Sequence, residues 1–234
     1  MKLSIIIPVY NEEFTLLKLL KRIRAINIKK EIIIVNDGST DKTDYILKKL
    51  SKKYYDKIIY HKKNFGKGAA IITASKYISG DVIIIQDADL EYNPKDYKKL
   101  ITPIKNKKFK VVYGSRVLGR DRYHNANSFI SLSRIFFNQV LTLLSNIINK
   151  QNLTDAHTCY KAFSKDIFLK LKLKEKGFSF CPEVNSKIAR FKLEIKEVQI
   201  SYKGRSKNEG KKISFIDGIY AILTLIKYGL LKKG

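Results

Sequence analysis

Three short apolar runs, Leu3-Ser4-Ile5-Ile6-Ile7, Ile32-Ile33-Ile34-Val35 and Val82-Ile83-Ile84-Ile85, each end abruptly at a polar cluster. Near-continuous Ile/Val runs of four or five residues, separated by helical patterns, are the signature of buried parallel strands in βαβ units. The polar clusters that follow are Pro8-Val9-Tyr10-Asn11-Glu12, Asn36-Asp37-Gly38-Ser39-Thr40-Asp41 and Gln86-Asp87-Ala88-Asp89-Leu90-Glu91. In an open parallel sheet, ligands sit beyond the carboxyl ends of the strands, so the three clusters are expected to converge on one edge.

The third cluster is the most specific chemically. Two carboxylates at i and i+2, where a buried strand ends, point to one side if the chain stays extended and can share one hard cation. Such a pair suits a metal held against a diphosphate.

The strand and helix patterns alternate from Lys2 to about Tyr113 and predict a mainly parallel sheet. For the first helix, Asn11 is the expected N-cap, and Phe14, Leu17, Leu20 and Ile23 are the expected inward face. Further helices are expected over 43–53, from 69 to 77, and from Asn93-Pro94 to about Ile104, with strands over 57–61 and 111–113. Beyond Gly114 the rhythm changes. A long helix over 128–148 carries apolar residues on more than one stripe, including Phe129, Phe136, Phe137, Leu143 and Ile147, so part of it is expected to meet something other than its own core. A mixed segment over 154–163, a helix over 182–190, a strand over 193–202, a basic loop over 203–212 and a last helix over 213–231 complete the chain.

At 234 residues, 44% of them hydrophobic, the chain can bury a substantial core. A single domain is expected, divided into an N-terminal half (1–114), a second part (115–212) and a C-terminal amphipathic helix (213–234). Cys159 and Cys181 have no C-x-x-C spacing, which argues against a zinc site or a disulfide framework and for a reducing cytosol. No secretory signal is expected, because the first apolar run passes straight into Asn11-Glu12-Glu13. Asp217 and Lys227 interrupt the last helix, so a spanning segment is not expected either. Lys and Arg total 47 against 21 Asp and Glu, a formal charge of +26. That charge attracts anionic partners without choosing among nucleic acid, lipid and sugar nucleotide. A nucleic-acid-binding role is disfavoured by the acidic residues of the expected cleft and by the lack of a nucleic-acid module.

Together with Asn64-Phe65-Gly66-Lys67-Gly68, Tyr113-Gly114-Ser115-Arg116, Asp155-Ala156-His157-Thr158-Cys159-Tyr160-Lys161 and the 205–218 stretch, these clusters resemble the family 2 glycosyltransferases of GT-A fold. Within that family they resemble the dolichyl- or polyprenyl-phosphate hexosyltransferases. The resemblance implies an α/β GT-A (nucleotide-diphospho-sugar transferase) fold with C-terminal interface helices. It implies donor binding by Pro8, Tyr10, Glu12, Asp37, Lys67 and Asp87, and a Mg2+ or Mn2+ ion on Asp87, Asp89 and Glu91. Catalytic roles are implied for Asp89, Arg116 and Asp155, and acceptor-phosphate binding for Arg134, Arg205 and Lys211.

The acceptor decides whether a general base is needed. A sugar hydroxyl must lose a proton during attack, whereas a phosphate monoester with a second pKa near 6 is already mostly dianionic at neutral pH. The basic residues of the C-terminal third suit the second case. The expected activity is an inverting transfer of a hexose from GDP-mannose or UDP-glucose to a polyprenyl or dolichyl phosphate. Its expected place is peripheral, on the cytosolic face of a membrane, with a homodimer or a separate membrane-anchor protein as further partners. The same-fold alternative is transfer to a saccharide hydroxyl with Asp155 as base. His157 is given no role.

Overall fold

The computed structural model describes residues 1–119, 129–205 and 215–231, without the side chains at 129–131, 134 and 215. Seven strands form one sheet: β1 (Leu3–Val9), β2 (Lys30–Asn36), β3 (Lys57–Tyr60), β4 (Val82–Ile85), β5 (Val111–Ser115), β6 (Lys161–Ser164) and β7 (Ile195–Gln199). Their order is β3-β2-β1-β4-β6-β5-β7. The pairs β1–β2, β1–β4, β2–β3 and β5–β7 are parallel, while β6 runs antiparallel between β4 and β5. The carboxyl ends of β1, β2 and β4 therefore share one edge, and the three polar clusters open onto it.

Side-chain alternation splits the apolar runs between two cores. Ile5, Ile7, Ile32, Ile34 and Ile84 pack on one face of the sheet, and Ile6, Ile33, Val35, Ile83 and Ile85 on the other. Burial on both faces is why these strands tolerate no polar alternation.

Helix α1 (Leu16–Arg24) buries Leu16, Leu19, Leu20 and Ile23. Phe14 and Leu17, expected inside, are 80% and 37% exposed. A strict three-residue step drifts off the face of a 3.6-residue helix, and the i, i+3, i+4, i+7 set prevails. Asn11 is not the N-cap either; Thr15 precedes the helix. Asn11 instead takes a left-handed φ of 52° and accepts from the Thr40 amide at 2.8 Å, tying the two neighbouring strand ends together.

Helix α2 (Thr43–Lys48) stops short of the expected end, and a 3-10 turn (Lys52–Tyr54) follows. Next come α3 (Lys67–Ser75), α4 (Tyr97–Lys105), α5 (Phe129–Asn149), the unexpected short α6 (Lys165–Lys170) and α7 (Phe180–Arg190). The last helix, α8 (Phe215–Leu225), widens into a π-helical stretch (Ile226–Leu231). α5 leaves Phe136, Phe137, Leu143 and Ile147 half or more exposed, and α8 does the same with Ile216, Tyr220 and Leu223. No helix among the described residues is long and apolar enough to cross a membrane.

Candidate active site at the strand ends

Gln86, the first residue beyond β4, is fully buried. Its Oε1 accepts from the hydroxyls of Tyr97 at 2.7 Å and Tyr160 at 2.6 Å, and its Nε2 donates to the Asp87 carbonyl at 2.8 Å. Every polar atom of the amide is thereby used to fix the backbone that carries Asp87. Leu90, at φ 64°, then turns the chain back.

Asp87 forms an ion pair with Lys67, the first residue of α3, whose Nζ lies 3.0 Å from Cys159 Sγ. Burial alone would push the Asp87 carboxyl up, but the Lys67 charge beside it leaves it below the usual range. The entry into α3 needs its glycines. Gly66 has φ 95°, and a Cβ on Gly68 would lie 2.0 Å from the Glu175 carbonyl oxygen.

Asp89 sits in a different field. Its Oδ1 accepts from the Glu91 amide at 3.0 Å and its Oδ2 faces an Arg205 terminal nitrogen at 3.4 Å. Burial first, then the charges of Asp87 and Glu91, push its carboxyl up to about 7. Such a carboxylate, crowded by like charge, gains from a cation. Asp87 and Asp89 thus fit a hard, oxygen-liganded ion. Glu91 is differently employed, accepting from the Tyr202 hydroxyl at 2.8 Å through Oε2 and from the Arg205 amide at 2.8 Å through Oε1. It fastens the 202–205 segment to the site. Among the described residues, no three carboxylate, imidazole or thiol groups gather into a ready metal cage.

Arg205 also reaches Glu12, at the β1 end, with both terminal nitrogens at 3.2 Å. One guanidinium therefore faces Glu12, Asp89 and Glu91.

Asp37, at the β2 end, is nearly fully buried. Its Oδ1 accepts from His61 Nδ1 at 2.6 Å and the Phe65 amide at 3.0 Å, and its Oδ2 from the Gly66 amide at 2.7 Å. His61 Nε2 lies 2.9 Å from Thr73 Oγ1 on α3. Asp37 thus holds the Gly66 turn in place, and His61 is a residue that the sequence reading missed; its position just beyond β3, on the same sheet edge, was the available signal. Pro8 pairs in register with Val35, two residues before Asp37, and Tyr10 follows at the same edge.

The second half of the site centres on Arg116, beyond β5. Its Nε donates to Asp155 Oδ2 at 2.6 Å, its Nη2 to Asp155 Oδ1 at 2.8 Å, and its own amide to Oδ2 at 3.1 Å. Asn138 on α5 adds contacts of 3.3 Å to both partners. The guanidinium lies 5.2 Å above the Tyr202 ring, so one tyrosine joins Arg116 to Glu91. Asp155 is fully buried with both oxygens engaged, a geometry suited to orienting an arginine rather than accepting a substrate proton. Burial first, and the Lys161 charge next, lower the neighbouring His157 to about 4, so its ring is neutral near pH 7. Of the expected acceptor residues, Arg205 is placed with the carboxylates; the Arg134 side chain and Lys211 lie outside the described residues.

The sequence model of Glycosyl transferase family 2 matches residues 4–172. The chain is 32% identical over 233 residues to a dolichol-phosphate mannosyltransferase of Pyrococcus furiosus, covering 95% of this chain and 64% of that protein. It is 29% identical over 245 residues to a UDP-N-acetylglucosamine–dolichyl-phosphate N-acetylglucosaminyltransferase of Methanococcus voltae, covering 96% of each. Among solved structures, glucosyl-3-phosphoglycerate synthase from Mycobacterium tuberculosis in complex with Mn2+, UDP and phosphoglyceric acid shares the fold. The TM-score is 0.72 at 18% identity, over 100% of this chain and 80% of that one.

Proposed function

The chain belongs to glycosyl transferase family 2, and on that premise we propose that it moves a hexose from a sugar nucleotide, GDP-mannose or UDP-glucose, onto a polyprenyl or dolichyl phosphate. The observation that carries this reading is the pairing of two unlike half-sites on one sheet edge. One is an acidic strand end, Asp87 and Asp89; the other is an arginine, Arg116, held by a carboxylate that has no oxygen to spare.

The donor diphosphate is read as lying at Asp87 and Asp89, with Lys67 at the start of α3 and Pro8, Tyr10, Glu12 and Asp37 walling the nucleoside. A Mg2+ or Mn2+ ion on Asp87 and Asp89 would neutralise charge on the departing nucleoside diphosphate. Glu91 and Tyr202 set the 202–205 segment, and with it Arg205, over the same phosphates.

The acceptor assignment follows from where a proton can go. Asp155 is buried, clamped to Arg116 and backed by Asn138, so a hydroxyl nucleophile would find no base there. A phosphate dianion needs none. Its oxygen attacks the anomeric carbon in line, one bond forms as the glycosidic bond to the diphosphate breaks, and the configuration inverts. Arg116 and Arg205, the latter shared between the donor and acceptor phosphates, are assigned to hold the acceptor phosphate together with Arg134 and Lys211, whose side chains lie outside the described residues. The solvent-facing apolar rows of α5 and α8 support a peripheral position on a membrane, which we assign to its cytosolic face. The relatives' names, which pair dolichyl phosphate with different sugars, support the acceptor more than any one donor.

The test is incubation of purified protein and Mn2+ with radiolabelled GDP-mannose, UDP-glucose and UDP-N-acetylglucosamine in turn, with a polyprenyl phosphate present. Label from one donor is expected to enter the organic phase. Failure with every donor, alongside transfer to a water-soluble sugar, would overturn the acceptor assignment.

A further inference from the structure

Lys161, at the start of β6, is fully buried. Its Nζ donates to the Ala156 carbonyl at 2.9 Å and lies 3.6 Å from the centre of the Tyr113 ring. No carboxylate forms an ion pair with it among the described residues. Burial, outweighing nearby attractive charges, lowers its pKa from the ordinary lysine value. Desolvating a buried ammonium is strongly unfavourable, and a leucine or methionine would fill the space at less cost. Packing alone therefore does not explain it.

What it touches does. The Ala156 carbonyl also accepts from Asn185 Nδ2 at 3.1 Å, and Asn185 Oδ1 in turn accepts from the Tyr113 hydroxyl at 2.8 Å. The Thr154 and Asp155 amides donate to the two oxygens of Glu197 on β7, at 2.7 and 3.0 Å. The Ala156 amide donates to Thr142 Oγ1 on α5 at 3.3 Å. Three consecutive residues centred on Asp155 are thus gripped from β6, β7, α5 and α7, and Lys161 joins Arg116 as a second cation in the grip. Its charge also bears on Asp155 and Arg116 directly. Around one buried carboxylate, Asp155, stand two basic groups, Arg116 and Lys161, and a neutral His157.

We propose that Lys161 is a positioning residue for the acceptor phosphate: it fixes the Asp155–Ala156 peptide so that Asp155 presents Arg116 in one orientation, and it biases that buried cluster toward an incoming dianion. This inference rests on the reading of Arg116 as a phosphate-binding group.

The test measures KM for farnesyl phosphate and for the labelled sugar nucleotide separately, with thermal stability alongside, for Lys161→Met, Lys161→Gln, Lys161→Arg and Arg116→Lys. Lys161→Met should raise the farnesyl phosphate KM about tenfold, the lower end of what losing an orienting partner costs. The donor KM should stay within about twofold, and Lys161→Arg should recover most of the loss. Should Lys161→Met fail to fold, Lys161→Gln, which keeps an N–H for the Ala156 carbonyl without the charge, should show a smaller but equally selective rise. Equal changes in both KM values, or lower stability with unchanged KM, would overturn the proposal. If Arg116→Lys raises the acceptor KM and neither neutral Lys161 variant does, the positioning role fails while the phosphate reading stands. If Arg116→Lys leaves the acceptor KM unchanged, the reading of Arg116 fails and this inference falls with it.

Discussion

Arg205 and Glu12, 193 positions apart in the chain, meet as a two-pronged pair, each terminal guanidinium nitrogen 3.2 Å from one carboxylate oxygen. The same guanidinium faces Asp89, so it supplies positive charge where a divalent ion is proposed to bind. Arg205→Ala should therefore lower the melting temperature in chelator and enlarge the rise caused by saturating Mn2+, since ligand binding to the folded state adds stability. Thermal unfolding with and without Mn2+ checks this; an equal Mn2+ increment in both proteins would contradict it.

Asp89→Asn should reduce transfer by about 10²- to 10³-fold, the usual loss when one group stabilising the leaving charge is removed. The fold should persist, because Asp89 is a crowded carboxylate whose charge the folded state opposes. Initial rates and a circular dichroism spectrum decide the point, and near-normal turnover would remove Asp89 from the chemistry.

How much of this was legible in the sequence follows from what each feature depends on. The three strand ends were readable because Ile-rich runs buried on both faces leave no other local solution, and β1, β2 and β4 lie where those runs stop. The inward face expected for α1 differs from the observed one because a three-residue step drifts off the helix face: Phe14 precedes the helix and Leu17 turns outward, while Leu16 and Leu19 turn in. The insertion of β6 between β4 and β5 was not readable, since a four-residue strand shows no direction until its neighbours are known. Likewise, Asp155 is visible in the sequence as an acid beside a histidine. Only the arrival of Arg116 from β5, Asn138 from α5 and Glu197 from β7 shows how its oxygens and its amide are occupied.

Asp155→Asn leaves a buried arginine with neutral partners, a change that costs about 3–5 kcal/mol when a buried pair is broken. Denaturant unfolding should show that loss, and the acceptor KM should rise while the pH profile of kcat keeps its shape. Loss of the acid limb of that profile at constant KM would instead mark Asp155 as a general base.

Glu31 closes the opposite edge of the sheet. Burial pushes its carboxyl up, but Lys2 Nζ at 2.7 Å, the hydroxyls of Ser4 and Ser79, and the Ser79 amide at 2.6 Å hold it down to about 2. A depressed carboxylate contributes stability above its unfolded pKa of about 4.3 and loses that contribution as pH falls toward 2. Glu31→Gln should therefore cost about 1–3 kcal/mol at pH 7, converge with the parent protein as pH falls from about 4.5 to 2, and leave the kinetic constants alone. A pH-independent difference in unfolding free energy would refute this.

The exposed rows of α5 and α8 should bind bilayers. Replacing Phe136 and Leu143 together by Asp should abolish flotation with vesicles of mixed neutral and anionic lipid while sparing transfer to short-chain farnesyl phosphate in solution. Flotation equal to that of the parent protein would place the membrane contact elsewhere.

The most direct measurement offers the protein two lipids of identical chain, polyprenyl phosphate and the corresponding polyprenol, with the same labelled donor and Mn2+. Product from the phosphate alone, with its anomeric configuration inverted relative to the donor, is the predicted result. Glycosylation of the free alcohol at a comparable rate would contradict a phosphate nucleophile that needs no base.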